Sequence, residues 1–307
     1  MDRAFPTKQA RSYEQFPIPP NRGVADIGSF IRVPGGEVNL GAPDDASIRF
    51  SELLAPWITL ARPRQSVIVS PFEIGKYEVT AQEFCEFLNS TASPAETSAP
   101  YIVIDSFATI LHSDTGYEPK ASYEHAPAVN VTYQGARRYC EWLTERTGVK
   151  HRLPSEIEWE YVARGRKEST YPWGEEDPRG RAFLFQHYED ELHRSAPRVV
   201  TVGSFPAGEN QDGVNDLIGN ASEWCGNYWF DYDDANDLAS LLLEPDFAEP
   251  ALFTTEHHLV IRGGHYVTPI DAFTGWTRIP GGFPLEAANL GVGFRLVRET
   301  HHSESPK

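Results

Sequence analysis

The chain has 307 residues, 40% of them hydrophobic and 23% charged, the balance of a globular protein rather than a disordered one. Lys and Arg number 27 against 44 Asp and Glu, a net charge of −17 with no Lys/Arg-rich run. That excludes the basic face that nucleic acid or an anionic membrane surface needs, and it disfavours strongly anionic substrates. Cys85, Cys140 and Cys225 stand singly, without a CxxC pair. This argues against a disulfide scaffold, a thiolate zinc site or an iron–sulfur cluster. No apolar stretch approaches the ~20 residues of a membrane span. Met1-Asp2-Arg3-Ala4-Phe5-Pro6 leads into polar sequence with no apolar signal core, so the expected compartment is the cytoplasm.

Residues 1–27 carry Pro6, Pro17, Pro19 and Pro20 with few apolar anchors, and are expected to form a flexible arm. Phe30-Ile31-Arg32-Val33 before Pro34-Gly35-Gly36 reads as a strand entering a turn. Ser66–Ser70 and Phe72–Tyr77 read as further short strands. Thr80-Ala81-Gln82-Glu83 is a capping box, followed by the apolar face Phe84, Phe87 and Leu88. Thr132 caps a second predicted helix, with Ala136, Tyr139, Cys140 and Leu143 facing the core. Ser155-Glu156-Ile157-Glu158 opens a third, with Ile157, Tyr161 and Val162 on its apolar side. From Gly165 to Arg298 helical periodicity disappears, and aromatics alternate with Gly, Asn, Asp and Pro. The fold class is therefore α+β, loop-rich with little regular secondary structure. Residues 299–307 read as a flexible tail.

Seven blocks in fixed order resemble the formylglycine-generating-enzyme, or sulfatase-modifying-factor, family. They are Phe72-Glu73-Ile74-Gly75-Lys76-Tyr77-Glu78-Val79-Thr80, Pro127-Ala128-Val129-Asn130-Val131-Thr132 and Arg152-Leu153-Pro154-Ser155-Glu156-Ile157-Glu158-Trp159-Glu160-Tyr161. Next come Tyr171-Pro172-Trp173-Gly174 and Gly219-Asn220-Ala221-Ser222-Glu223-Trp224. Arg262-Gly263-Gly264 and Gly293-Phe294-Arg295-Leu296 close the series. The resemblance spans 28–298 and implies one C-type-lectin-like domain with bound calcium. It does not by itself fix the activity.

The oxidase of this family carries two cysteines shortly after its Arg-Gly-Gly, where paired thiolates bind Cu(I). Here Thr268 and Phe273 stand at those positions, and no cysteine follows Cys225. The copper–thiolate mechanism therefore does not carry over. His265 replaces the small polar residue usual in the family, beside the expected pocket, and is either a reacting group or a hydrogen-bonded structural histidine. Trp276 and Arg278 are expected to position a substrate there, with Thr268 alongside. His187 and His193, with the carboxylates between them, are either a site for iron or copper or a solvated polar loop. The resemblance implies calcium on Asp216, Gly219, Ala221 and Glu223, through two carboxylates and two carbonyls.

Two functions follow as expectations. One is an oxidative tailoring enzyme that uses a histidine-bound non-haem metal and oxygen on a small-molecule or peptide-derived substrate. The other is a non-catalytic, calcium-stabilised module that binds a ligand or protein.

Overall fold

The protein is described by a computed structural model. It describes residues 28–44, 61–91, 101–184, 199–229, 259–266, 273–281 and 291–299. The predicted arm 1–27, residues 300–307 of the predicted tail, and His187, His193 and Thr268 lie outside the described residues.

The first half alternates short strands and helices. Strands β1 (Phe30–Val33), β2 (Gly36–Leu40), β3 (Gln65–Val69) and β4 (Phe72–Gly75) precede helix α1 (Ala81–Thr91). Strands β5 (Ile110–Ser113) and β6 (Gly116–Pro119) follow, then α2 (Tyr133–Thr147), β7 (His151–Arg152) and α3 (Glu156–Arg164). Beyond α3 the chain supplies β8 (Ser222–Tyr228), β9 (Leu259–Arg262), β10 (Ile279–Gly281), β11 (Val292–Gly293) and β12 (Val297–Arg298). Among the described residues of that half, the helical element is a single 3₁₀ turn, Pro206–Gly208.

The helix starts obey the local rules read from sequence. Glu83 reaches back to the Thr80 N–H at 2.8 Å. The Thr132 hydroxyl accepts from Gly135 N–H at 2.9 Å. Ser155 and Glu158 form a reciprocal capping box. The glycine at 135 is required by space, because a Cβ there would lie 2.1 Å from the Tyr101 carbonyl oxygen.

Two four-stranded sheets organise the rest. One has the order β1-β4-β12-β7 and is antiparallel throughout. The other has the order β10-β9-β8-β11, with β11 parallel to β8. The C-terminal β12 thus pairs with β4 near the start of the chain, and β11 carries the last glycine-rich block onto β8. α1, α2 and the second sheet share an apolar core in which Phe84, Phe87, Tyr139 and Phe294 interlock. A second core lies between α3, β1–β4 and the loop around Leu217. Among the described residues no helix is long and apolar enough to cross a membrane.

Candidate functional site

Strand β9 ends at Arg262, and the chain then turns through Gly263 (φ +88°) and Gly264 (φ +67°) to His265. Both glycines occupy the left-handed region and are closely covered. A Cβ on Gly264 would meet the Phe273 ring at 2.7 Å. Phe273, expected at one of the family's thiol positions, is instead an apolar ring packed on this turn. The turn is tied to the glycine-rich loop by Gly219 N–H to Gly263 O (2.9 Å) and Tyr266 N–H to Asn220 O (3.2 Å).

Under His265 lies Gly291 (φ +73°), where a Cβ would stand 3.2 Å from the imidazole Cγ and 3.3 Å from the Tyr266 ring. Asn130 fixes that glycine: its Oδ1 accepts from Gly291 N–H at 3.1 Å, and its Nδ2 donates to Asp105 at 2.8 Å. Asn130 itself adopts φ +61°, a strained conformation held by these bonds. Tyr266 packs against the buried cluster of Ala126, Val129, Val199 and Ala221. Burial pushes the His265 pKa down to about 4, so the ring is neutral at physiological pH.

Arg278 and Trp276 are engaged inside the fold. Arg278 is fully buried and donates from Nε to Glu156 Oε1 at 2.6 Å and from Nη2 to Oε2 at 2.9 Å. Its guanidinium lies 4.0 Å from the Trp229 ring centroid. Arg262 bridges Glu156 (3.0 Å) and Glu160 (2.7 Å), and Arg164 closes the series on Glu160 (3.0 Å). Burial alone would raise the Glu156 pKa, but Arg278 and Arg262 together hold it below the usual range. Trp276 packs with Ala42 and Ala61. The guanidinium expected to meet a substrate is thus spent on α3, and Arg262, the residue before the Gly263-Gly264 turn, ties that end of β9 to the same helix.

The predicted calcium loop is equally committed. Glu223 accepts from Arg295 Nε and Nη2, each at 2.7 Å, and from Trp159 Nε1 at 2.9 Å. Asp216 (φ +56°) accepts from Gly203 N–H. Glu78 accepts from Ala221 N–H at 3.1 Å and from Asn220 Nδ2 at 3.4 Å. Burial pushes Asp216 up to about 6, against the pull of the Gly203 N–H and Arg295. Burial, with Asp216 and Glu223 close by, raises Glu78 well above the carboxylate range. Among the described residues no group of three His, Cys, Asp or Glu side chains converges as a metal set. As they stand, these donors do not fit calcium, because the Glu223 carboxylate already holds a guanidinium.

The thiols fit copper no better. All three cysteines are buried, and burial raises each thiol, Cys85 to about 12. A thiolate ligand needs the opposite shift.

Sequence reasoning assigned no role to Glu78, Asn130, Glu156, Glu160 or Arg295. Each lies inside a block that resembles the family, but only the fold shows what it touches.

The comparisons agree with the architecture. The model of the sulfatase-modifying factor enzyme 1-like domain matches residues 15–300. The formylglycine-generating enzyme of Mycobacterium tuberculosis is 24% identical over 314 residues, covering 89% of this chain and 98% of that protein. The inactive C-alpha-formylglycine-generating enzyme 2 of Mus musculus is 29% identical over 237 residues, covering 66% of this chain and 70% of its own length. Among solved structures, PvdO from Pseudomonas aeruginosa superposes with a TM-score of 0.61 at 24% identity, over 88% of this chain and 94% of its own. With its α+β fold, its glycine-rich turns and a family model running nearly end to end, the chain belongs to the sulfatase-modifying factor enzyme 1-like, or formylglycine-generating-enzyme-like, family.

Proposed function

We propose that the chain is a formylglycine-generating-enzyme-like oxidoreductase in which a histidine, rather than a thiolate pair, carries the reacting position. Its substrate is a small molecule or a peptide-derived group. The observation that carries this reading is His265, a neutral, part-buried imidazole on the turn that in the family's oxidase leads into the thiols. A neutral imidazole is both the basic and the metal-ligating form of histidine. A histidine-held iron or copper would supply one-electron activation of oxygen.

The chain's own residues do the rest. Gly291 lets the backbone close on the ring, and Gly264 lets the Phe273 ring cover the turn. Asn130, anchored by Asp105, fixes the Gly291 floor, so the ring has one seat. Arg262, paired with Glu156 and Glu160, ties the start of the turn to α3, and Arg278 packs on the same Glu156.

A second reading, a non-catalytic binding module, has its own support. No three-residue metal set converges among the described residues, and a relative bears a name that calls it inactive. Elemental analysis separates the two. The full chain is loaded anaerobically with iron(II) or copper(I), desalted and measured, as wild type and as His265→Ala. A redox metal retained by the wild type and lost from the variant supports the oxidoreductase. None retained by either favours the binding module.

A further inference from the structure

We infer that Arg295 is the resident cation of the Asp216–Glu223 loop, and that its guanidinium takes the place of the calcium implied for these residues. A guanidinium has five N–H donors in a fixed planar fork. Here Nε and one Nη2 donor meet the two Glu223 oxygens at 2.7 Å each. The second Nη2 donor meets the Asn215 carbonyl at 2.9 Å. Nη1 meets the carbonyls of Gly75 at 3.1 Å and Lys76 at 3.4 Å. All five donors are therefore spent on oxygens, two from a carboxylate and three from backbone.

That mixture of carboxylate and carbonyl oxygens is what calcium takes from an irregular loop. The cation's work is also the same. It joins the β4 end, the Asn215 turn and β8 at one point, and it neutralises a carboxylate that is fully buried. For Glu223 to ligate calcium through both oxygens it would have to break its two-bond pairing with Arg295, which is also fully buried and whose other hydrogen bonds go to backbone carbonyls. The Trp159 Nε1 bond at 2.9 Å falls on the oxygen that Arg295 Nε already meets, so that oxygen accepts two donors. Asp216, the other carboxylate implied as a ligand, is turned to the Gly203 N–H. The inference is independent of the role of His265.

The test is the thermal melting of the full chain in chelator and in millimolar calcium, for the wild type, Asp216→Asn and Asp216→Ala. A ligand bound only to the folded state raises the melting temperature. The expected result is one melting temperature for the wild type in both conditions, with no calcium retained after desalting. A calcium-dependent rise in the wild type that Asp216→Asn abolishes would overturn the inference. A rise that both Asp216→Asn and Asp216→Ala keep would put calcium elsewhere in the chain and leave Arg295 as the cation of this loop, because alanine leaves no side-chain oxygen to ligate, and a rise that Asp216→Ala abolishes would overturn the inference.

Discussion

Replacing Arg278 with methionine tests whether this guanidinium belongs to the fold or to a ligand. The side chain is fully buried, with two bonds of 2.6 and 2.9 Å to Glu156 and an aromatic face at 4.0 Å. Removing one partner of a buried pair typically costs about 3–5 kcal/mol, because the other charge is left behind. Glu156 keeps Arg262 at 3.0 Å, which argues for the lower half of that range. Methionine recovers part of the contact with Trp229. The expected loss is therefore about 3 kcal/mol, or roughly 6–12 °C in melting temperature for a chain of this size. Urea or thermal denaturation of the wild type, Arg278→Met, Glu156→Gln and the double variant gives both the loss and the coupling between the two sites. The double variant should be less damaged than the sum of the singles. A loss under about 1 kcal/mol for Arg278→Met, below any value for a broken buried pair, would refute the pairing and return Arg278 to the pocket.

Two further outcomes follow from the His265 pocket. In the metal-free chain His265 has its pKa lowered to about 4 by burial, from 6.5, so its contribution to stability is present above pH 6.5 and lost as pH falls through 4. Between pH 7.5 and pH 5 the wild type should lose about 1–2 kcal/mol more than His265→Gln in chemical denaturation; equal losses would contradict the burial of the ring. Gly291→Ala and Gly148→Ala both force alanine into the left-handed region, at φ +73° and +71°, but Gly148 has open space around it while Gly291 faces His265 and Tyr266. Both should lose about 1–2 kcal/mol, and only Gly291→Ala should move the His265 imidazole signals in an NMR spectrum; unmoved signals would separate Gly291 from the pocket.

How much of this was legible in the sequence depends on how local the physics is. The three helix starts were readable because a cap and its partner lie three residues apart, as with Ser155 and Glu158. The polar stripe Glu156, Glu160 and Arg164 was not. At i, i+4 and i+8 it looks like a solvated helix face, yet all three residues are buried. Its cover comes from Arg262 and Arg278, the latter 122 residues away from Glu156. Arg295 is a similar case, since its acceptors come from positions 75, 76, 215 and 223. The family resemblance implies calcium on the Asp216–Glu223 loop because its carboxylates and Gly219 are visible in the sequence, whereas the competing guanidinium enters from the segment between β11 and β12. The absence of the thiol pair was legible directly, because it needed only residue identities after Arg262. That Phe273 fills the space above Gly264 needed the fold.

The most direct test of the central claim, that a histidine rather than a thiol runs this site, is pulsed electron paramagnetic resonance of the full chain loaded with copper(II). The account predicts imidazole-nitrogen coupling in the wild type that is lost in His265→Ala while the variant still melts as a folded protein. A sulfur-type copper spectrum, or nitrogen coupling unchanged by His265→Ala, would contradict it.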